Sequence, residues 1–161
     1  MKRPLALVTG GVRRLGAIIA ARLSDAGYDL ALSSHGAGNP DPVLAEAIAR
    51  NGCDWQHFTA DLSDSSAASA LVGDVAEHFG RAPDLLVNNA AIRREARLAE
   101  LSSTDWRNTL SVVLDGAFHC SQAALPYLQV AQGAAIVNIG GLTAHTGALD
   151  RVHVVTAKAG L

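Results

Sequence analysis

Leu5-Ala6-Leu7-Val8-Thr9-Gly10-Gly11-Val12-Arg13-Arg14-Leu15-Gly16 is the stretch that decides the fold. Four consecutive apolar residues fit a strand buried on both faces better than one with a wet side. The run ends at Thr9-Gly10-Gly11, after which Leu15, Ile18, Ile19 and Leu23 recur at helical spacing. Strand, glycine turn and helix therefore follow one another. A turn of this kind lets backbone N–H groups approach an anion, with partial positive charge supplied by the helix N-terminus. Arg13 and Arg14 add two cations where the helix dipole disfavours them unless an anion is present.

The same alternation continues outward. Leu30-Ala31-Leu32 is a second apolar run, and Asp41-Pro42 follows as N-cap and first-turn proline of a helix. A third strand is expected over 55–58. Beyond Asp61-Leu62-Ser63-Asp64, residues Ala68, Leu71, Val72, Val75 and Phe79 share one helical face. A fourth strand is expected over 84–87. Ser102 and Asp105 resemble a capping box ahead of a long helix marked by Trp106, Leu110, Val113, Ala117, Cys120 and Ala124. A fifth strand is expected over 134–139, and a last helix from about Val152. All-apolar strands alternating with helices predict a doubly wound, Rossmann-like α/β fold with a parallel sheet of about five strands.

Composition excludes several classes of function. The chain has 161 residues, 49% of them hydrophobic, with a formal charge of -2 and only 4% aromatic residues. Such a balance offers neither the basic patch nor the stacking platform that a nucleic acid needs. No apolar stretch approaches the roughly 20 residues of a membrane span, and Met1-Lys2-Arg3-Pro4 does not lead into a signal-peptide core. A cytoplasmic protein is expected, with Cys53 and Cys120 as reduced thiols. No metal site is expected. Cys53 and His57, on one strand face, would stand about 13 Å apart at ~3.3 Å per residue, too far to share an ion.

Four segments, in order, resemble the short-chain dehydrogenase/reductase family. Thr9-Gly10-Gly11-Val12-Arg13-Arg14-Leu15-Gly16 is similar to its Thr-Gly-x-x-x-Gly-x-Gly turn, with Arg14 in place of the middle glycine, as in the pteridine-reductase branch. Asp61-Leu62 resembles the adenine-contacting pair. Asn88-Asn89-Ala90-Ala91 resembles the Asn-Asn-Ala-Gly segment, and Ile136-Val137-Asn138-Ile139 resembles the fifth strand. The resemblance implies a nicotinamide dinucleotide held by Thr9, Gly10, Arg13, Arg14, Leu15, Gly16, Asp61, Leu62, Asn88, Asn89 and Ala90. The second strand ends in Ser33-Ser34-His35 without the acid that accepts from a ribose 2′-hydroxyl, while Arg13, Arg14, Ser34 and His35 suit a 2′-phosphate. NADP(H) is the expected cofactor.

The catalytic pattern is where the resemblance breaks. The family uses a tyrosine as general acid with a lysine four residues later, a serine after the fifth strand, and an asparagine in the long helix. Register places Lys158 at the lysine, but Val154 at the tyrosine, Gly141 at the serine and Val113 at the asparagine. Lys158 is also a cofactor ligand in the family. His153, beside the tyrosine position, and His145, in the loop after the fifth strand, are the candidate proton donors. Two functions stay open. One is an NADP(H)-dependent oxidoreductase acting on a small carbonyl, alcohol or imine with an atypical active site. The other is a catalytically silent nucleotide-binding or interaction module. The family also implies a homo-oligomer, dimer or tetramer, and further strands beyond this point. Residues 1–161 are therefore expected to form a single domain incomplete at its C-terminus, with the fifth strand's edge and the last helix's apolar face exposed.

Overall fold

The apolar run at the N-terminus is β1 (Leu5–Thr9), and every one of its residues is buried. The structure is a computed structural model and describes residues 2–131 and 133–161. After β1 come α1 (Arg14–Asp25), β2 (Asp29–Ser34), α2 (Pro42–Asn51), β3 (Trp55–Thr59), α3 (Ser65–Phe79) and β4 (Leu85–Asn88). Then follow α4 (Ser103–Leu110), a π-helical segment (Ser111–Asp115), α5 (Gly116–Leu128), β5 (Ala135–Asn138), α6 (Thr143–Thr146) and α7 (Val152–Gly160).

The five strands are parallel, in the order β3-β2-β1-β4-β5. This is the doubly wound sheet that the alternation predicts. Side chains alternate across β1, so Leu5 and Leu7 meet Leu71, Val75 and Cys120 of α3 and α5. Ala6 and Val8 meet Ala17, Ala20 and Leu44 of α1 and α2 on the other face. The strand order reverses between β1 and β4, and the crevice outside their carboxyl ends is where such sheets hold ligands.

Three expectations change. Asp41 occupies the N-cap position of α2, but its side chain makes no cap bond there; its carboxylate accepts from the Arg14 N–H instead, at 2.7 Å. The long helix is continuous, but widens to π geometry over Ser111–Asp115. Hydrophobic periodicity does not report one widened turn, because apolar residues on either side still face the sheet. A Cβ on Gly116 would come within 2.9 Å of the Leu62 Cβ and carbonyl, so glycine lets the helix press on the loop after β3. Finally, α7 packs on α4, α6 and the π segment, burying His153, Val154, Ala157 and Lys158 rather than exposing an apolar face. β5 does stand exposed, at all four residues. Among the described residues no helix is long and apolar enough to cross a membrane.

Candidate functional site

The glycine turn is closed too tightly for any side chain at one of its positions. A Cβ on Gly16 would lie 2.0 Å from the Gly10 carbonyl oxygen, and Gly10 itself is left-handed at φ +62°. Arg14 is left-handed as well, at φ +53°, a conformation that costs an ordinary side chain about 1–2 kcal/mol. The turn is tied to β4 by two residues. The Thr9 hydroxyl accepts from the Asn89 and Ala90 N–H groups at 3.0 and 3.1 Å. The Asn89 side-chain amide donates to the Thr9 and Gly10 carbonyls at 2.9 and 3.1 Å.

Around this turn opens a cleft of about 690 Å³. Gly10, Arg13, Arg14, Leu15 and Gly16 form one wall, and Ser34, His35, Asp61 and Leu62 another. Asn89 and Ala90, against the glycine turn, and Lys158 also line it. Thr9 and Asn88 do not line it. Thr9 is buried behind the turn, and the Asn88 amide donates to Ser121 Oγ and Asn138 Oδ1 at 3.0 and 2.8 Å. These two residues brace the strand ends behind the cleft and do not line it.

Charge in the cleft is unevenly distributed. Arg13 and Arg14 enter none of the ion pairs among the described residues. The Ser34 hydroxyl donates to the Gly36 carbonyl at 2.6 Å, leaving its lone pairs to His57 Nε2 at 2.7 Å. His35 Nδ1 stands 3.7 Å from an Asp61 carboxylate oxygen. The Ser63 hydroxyl and N–H, at 2.7 and 2.9 Å, hold the Asp61 carboxyl below the usual carboxylate range.

Lys158 joins the cleft to a smaller hollow of about 300 Å³, shared with Asn138, Gly140, Gly141 and His145. Its ammonium donates to the Ile139 carbonyl. Burial lowers its pKa, and the nearby Arg93 cation lowers it further. His145 is therefore in the same hollow as Lys158, whereas His153 lines neither space. The His153 ring is 1% exposed, with Nε2 2.9 Å from the Arg94 carbonyl and Nδ1 without a hydrogen-bond partner. A proton donor to a ligand must reach that ligand, so His153 is set aside for this role. Val113 and Val154 are buried, and Gly141 carries no side chain, so no acid or base stands at those three positions. Among the described residues no group of His, Cys, Asp and Glu could hold a metal ion.

The family model described as short chain dehydrogenase matches residues 4–161. The chain belongs to the short-chain dehydrogenase family. It is 31% identical over 156 residues to a 3-oxoacyl-(acyl-carrier-protein) reductase of Staphylococcus aureus, covering 97% of this chain and 63% of that protein. It is 36% identical over 147 residues to a D-threitol dehydrogenase of Mycolicibacterium smegmatis, covering 91% and 55% respectively. A 3-oxoacyl-(acyl-carrier-protein) reductase of Brucella melitensis, solved in complex with NAD, superposes with a TM-score of 0.87 at 29% identity. That superposition covers 99% of this chain and 64% of the other. The chain thus spans under two thirds of the length of these short-chain dehydrogenases. Their names support the family without singling out the pteridine-reductase branch suggested by Arg14.

Sequence reading missed Arg93, Asn108 and Val112 in the short-chain dehydrogenase cleft. Arg93 had a usable signal, since it follows Asn88-Asn89-Ala90-Ala91 in a loop at the carboxyl end of a strand. Asn108 and Val112 had none. Asn108 at the end of α4 and Val112 in the π segment line the cleft where the long helix passes it.

Proposed function

We propose that this chain holds NADP(H) and serves a short-chain oxidoreductase acting on a small carbonyl, alcohol or imine through an atypical active site. One observation carries the cofactor choice. Arg13 and Arg14, unpaired among the described residues, border a cleft whose second strand ends in Ser33-Ser34-His35 with no acid. A 2′-phosphate satisfies those cations, whereas a 2′-hydroxyl leaves them without an anion. The cradle fits a dinucleotide because Gly16 leaves no room for a Cβ and Gly10 takes the left-handed conformation, bringing backbone amides within reach of a pyrophosphate. Asp61 and Leu62 border the adenine end, and Lys158 the nicotinamide ribose end.

A nicotinamide held there supplies the hydride. The chain's own residues orient it and exclude water. With Val154 and Gly141 offering no proton, His145 beside Lys158 is the donor within reach of the smaller hollow. Positioning alone contributes part of the catalysis even with a poor acid. The buried valines at positions 113 and 154 favour a second reading, a nucleotide-binding module without turnover.

NADPH consumption over a panel of small carbonyls and imines separates the two. Turnover lost in His145→Ala supports the oxidoreductase, and tight NADPH binding without turnover supports the module. Unchanged NADPH affinity in Arg13→Ala and Arg14→Ala defeats the cofactor assignment. Homo-oligomerisation belongs to the same proposal. Phe118 and Leu125 lie 57% and 47% exposed on α5, and sedimentation of Phe118→Ser against the parent chain tests that face.

A further inference from the structure

We infer that Asp41 is a positioning residue that sets the preference for a 2′-phosphorylated dinucleotide, an inference that rests on the NADP(H) reading above. Asp41 holds the glycine turn from two sides. Its N–H donates to the Val12 carbonyl at 2.8 Å, and its carboxylate accepts from the Arg14 N–H at 2.7 Å. Arg14 is the residue that stands in the disfavoured left-handed region, at φ +53°. Donation of that N–H to a carboxylate fixes the peptide in the conformation that arginine would otherwise leave.

The loop that carries Asp41 is fitted to the turn at Gly38. A Cβ on Gly38 would come within 2.8 Å of Val12 Cγ2 and 3.1 Å of Ser34 Oγ, and Ser34 is hydrogen-bonded to Gly36. Ser34 and His35 at one end of this loop, and Arg13 and Arg14 in the turn, are thereby held as one unit. Asp41 does not line the cleft and forms no ion pair with either arginine among the described residues. Its carboxylate is engaged by backbone, so both guanidinium groups stay available to a ligand. Releasing the clamp separates Arg13 and Arg14 from His35, the groups that would read the 2′-phosphate, since the Ser34 proton is already given to the Gly36 carbonyl. Leu15 and Gly16, held by the close approach to Gly10, keep their hold on the pyrophosphate.

Calorimetric titration of the purified chain with adenosine 2′,5′-bisphosphate and with AMP tests this. The parent chain is expected to prefer the bisphosphate by about tenfold or more, the scale of one charge-assisted hydrogen bond. Asp41→Ala should remove most of that preference while changing AMP affinity less than about twofold. Asp41→Asn keeps an acceptor oxygen without the charge and should retain the preference. If Asp41→Ala weakens both ligands alike, leaves their ratio unchanged or raises it, Asp41 does not set the preference. Should Asp41→Ala fail to fold by circular dichroism, Gly38→Val, which forces the loop off Val12 and Ser34, must show the same selective loss. An intact preference in a folded Gly38→Val would then overturn the inference. Equal affinity of the parent chain for the two ligands instead strikes the NADP(H) reading itself, and with it the role of Asp41.

Discussion

Arg14 concentrates the conflict between backbone and ligand in a single residue. Its left-handed φ favours glycine, while its place in the cleft sets a cation where the proposed 2′-phosphate would bind. Arg14→Gly should therefore stabilise the chain by up to about 1 kcal/mol in denaturant unfolding while weakening NADPH binding, so that the two readouts move in opposite directions. Asp61 shows the same kind of local control over charge. Its carboxyl is held below the usual range by Ser63, so its ionised form favours the folded state. That contribution is complete above the ordinary carboxylate pKa and is lost as pH falls through the depressed value. In Ser63→Ala, the Asp61 titration followed by carboxyl NMR should move up toward the ordinary range, reducing this acid dependence.

Helix α3 shows how an element is started by a side chain rather than by propensity. Asp64 accepts from the Ser66 and Ala67 N–H groups at 2.7 and 2.9 Å, and Gly80 ends the helix in the left-handed conformation. Asp64→Ala should cost about 1 kcal/mol, measured by thermal or denaturant unfolding, because two helix donors lose their acceptor. The long helix carries the opposite lesson. Its start at Ser102 was readable from the Ser102 and Asp105 pair, which is indeed hydrogen-bonded, Asp105 N–H to Ser102 Oγ at 3.0 Å. Its π segment was not, because a widened turn follows from how the helix meets Leu62 and α7 and not from any local residue preference.

Across the whole molecule the sheet is fastened at the end away from the cleft. Asp29 opens β2, its carboxylate 2.5 Å from the Arg81 guanidinium and 2.9 Å from the Asp54 N–H ahead of β3. Arg81 also donates to the Arg3 carbonyl at 2.7 Å ahead of β1. One buried acid thus joins the starts of three strands. Asp29→Ala leaves the Arg81 cation, only 16% exposed, with Asp84 4.0 Å away as its remaining carboxylate, and the expected cost lies at the low end of a broken buried pair, about 3 kcal/mol. Denaturant unfolding should show that loss, well beyond the effect of Asp64→Ala.

Sequence by itself determined the order of strands and helices, the parallel sheet and the glycine turn, because each is written in local patterns of apolar runs, helical spacing and glycine. It also brought together most of the cleft: Arg13, Arg14, Ser34, His35, Asp61, Leu62, Asn89 and Lys158 face one space because strand ends in such a sheet converge. Tertiary structure alone decided which residues line the cleft and which brace it from behind. Thr9 and Asn88 turned out to be braces, and His153 a buried ring bonded to the Arg94 carbonyl. The assignment of Asp41 changed for the same reason. Its place before Pro42 marks a helix cap, yet its carboxylate reaches back 27 residues to Arg14, a partner no local pattern can specify.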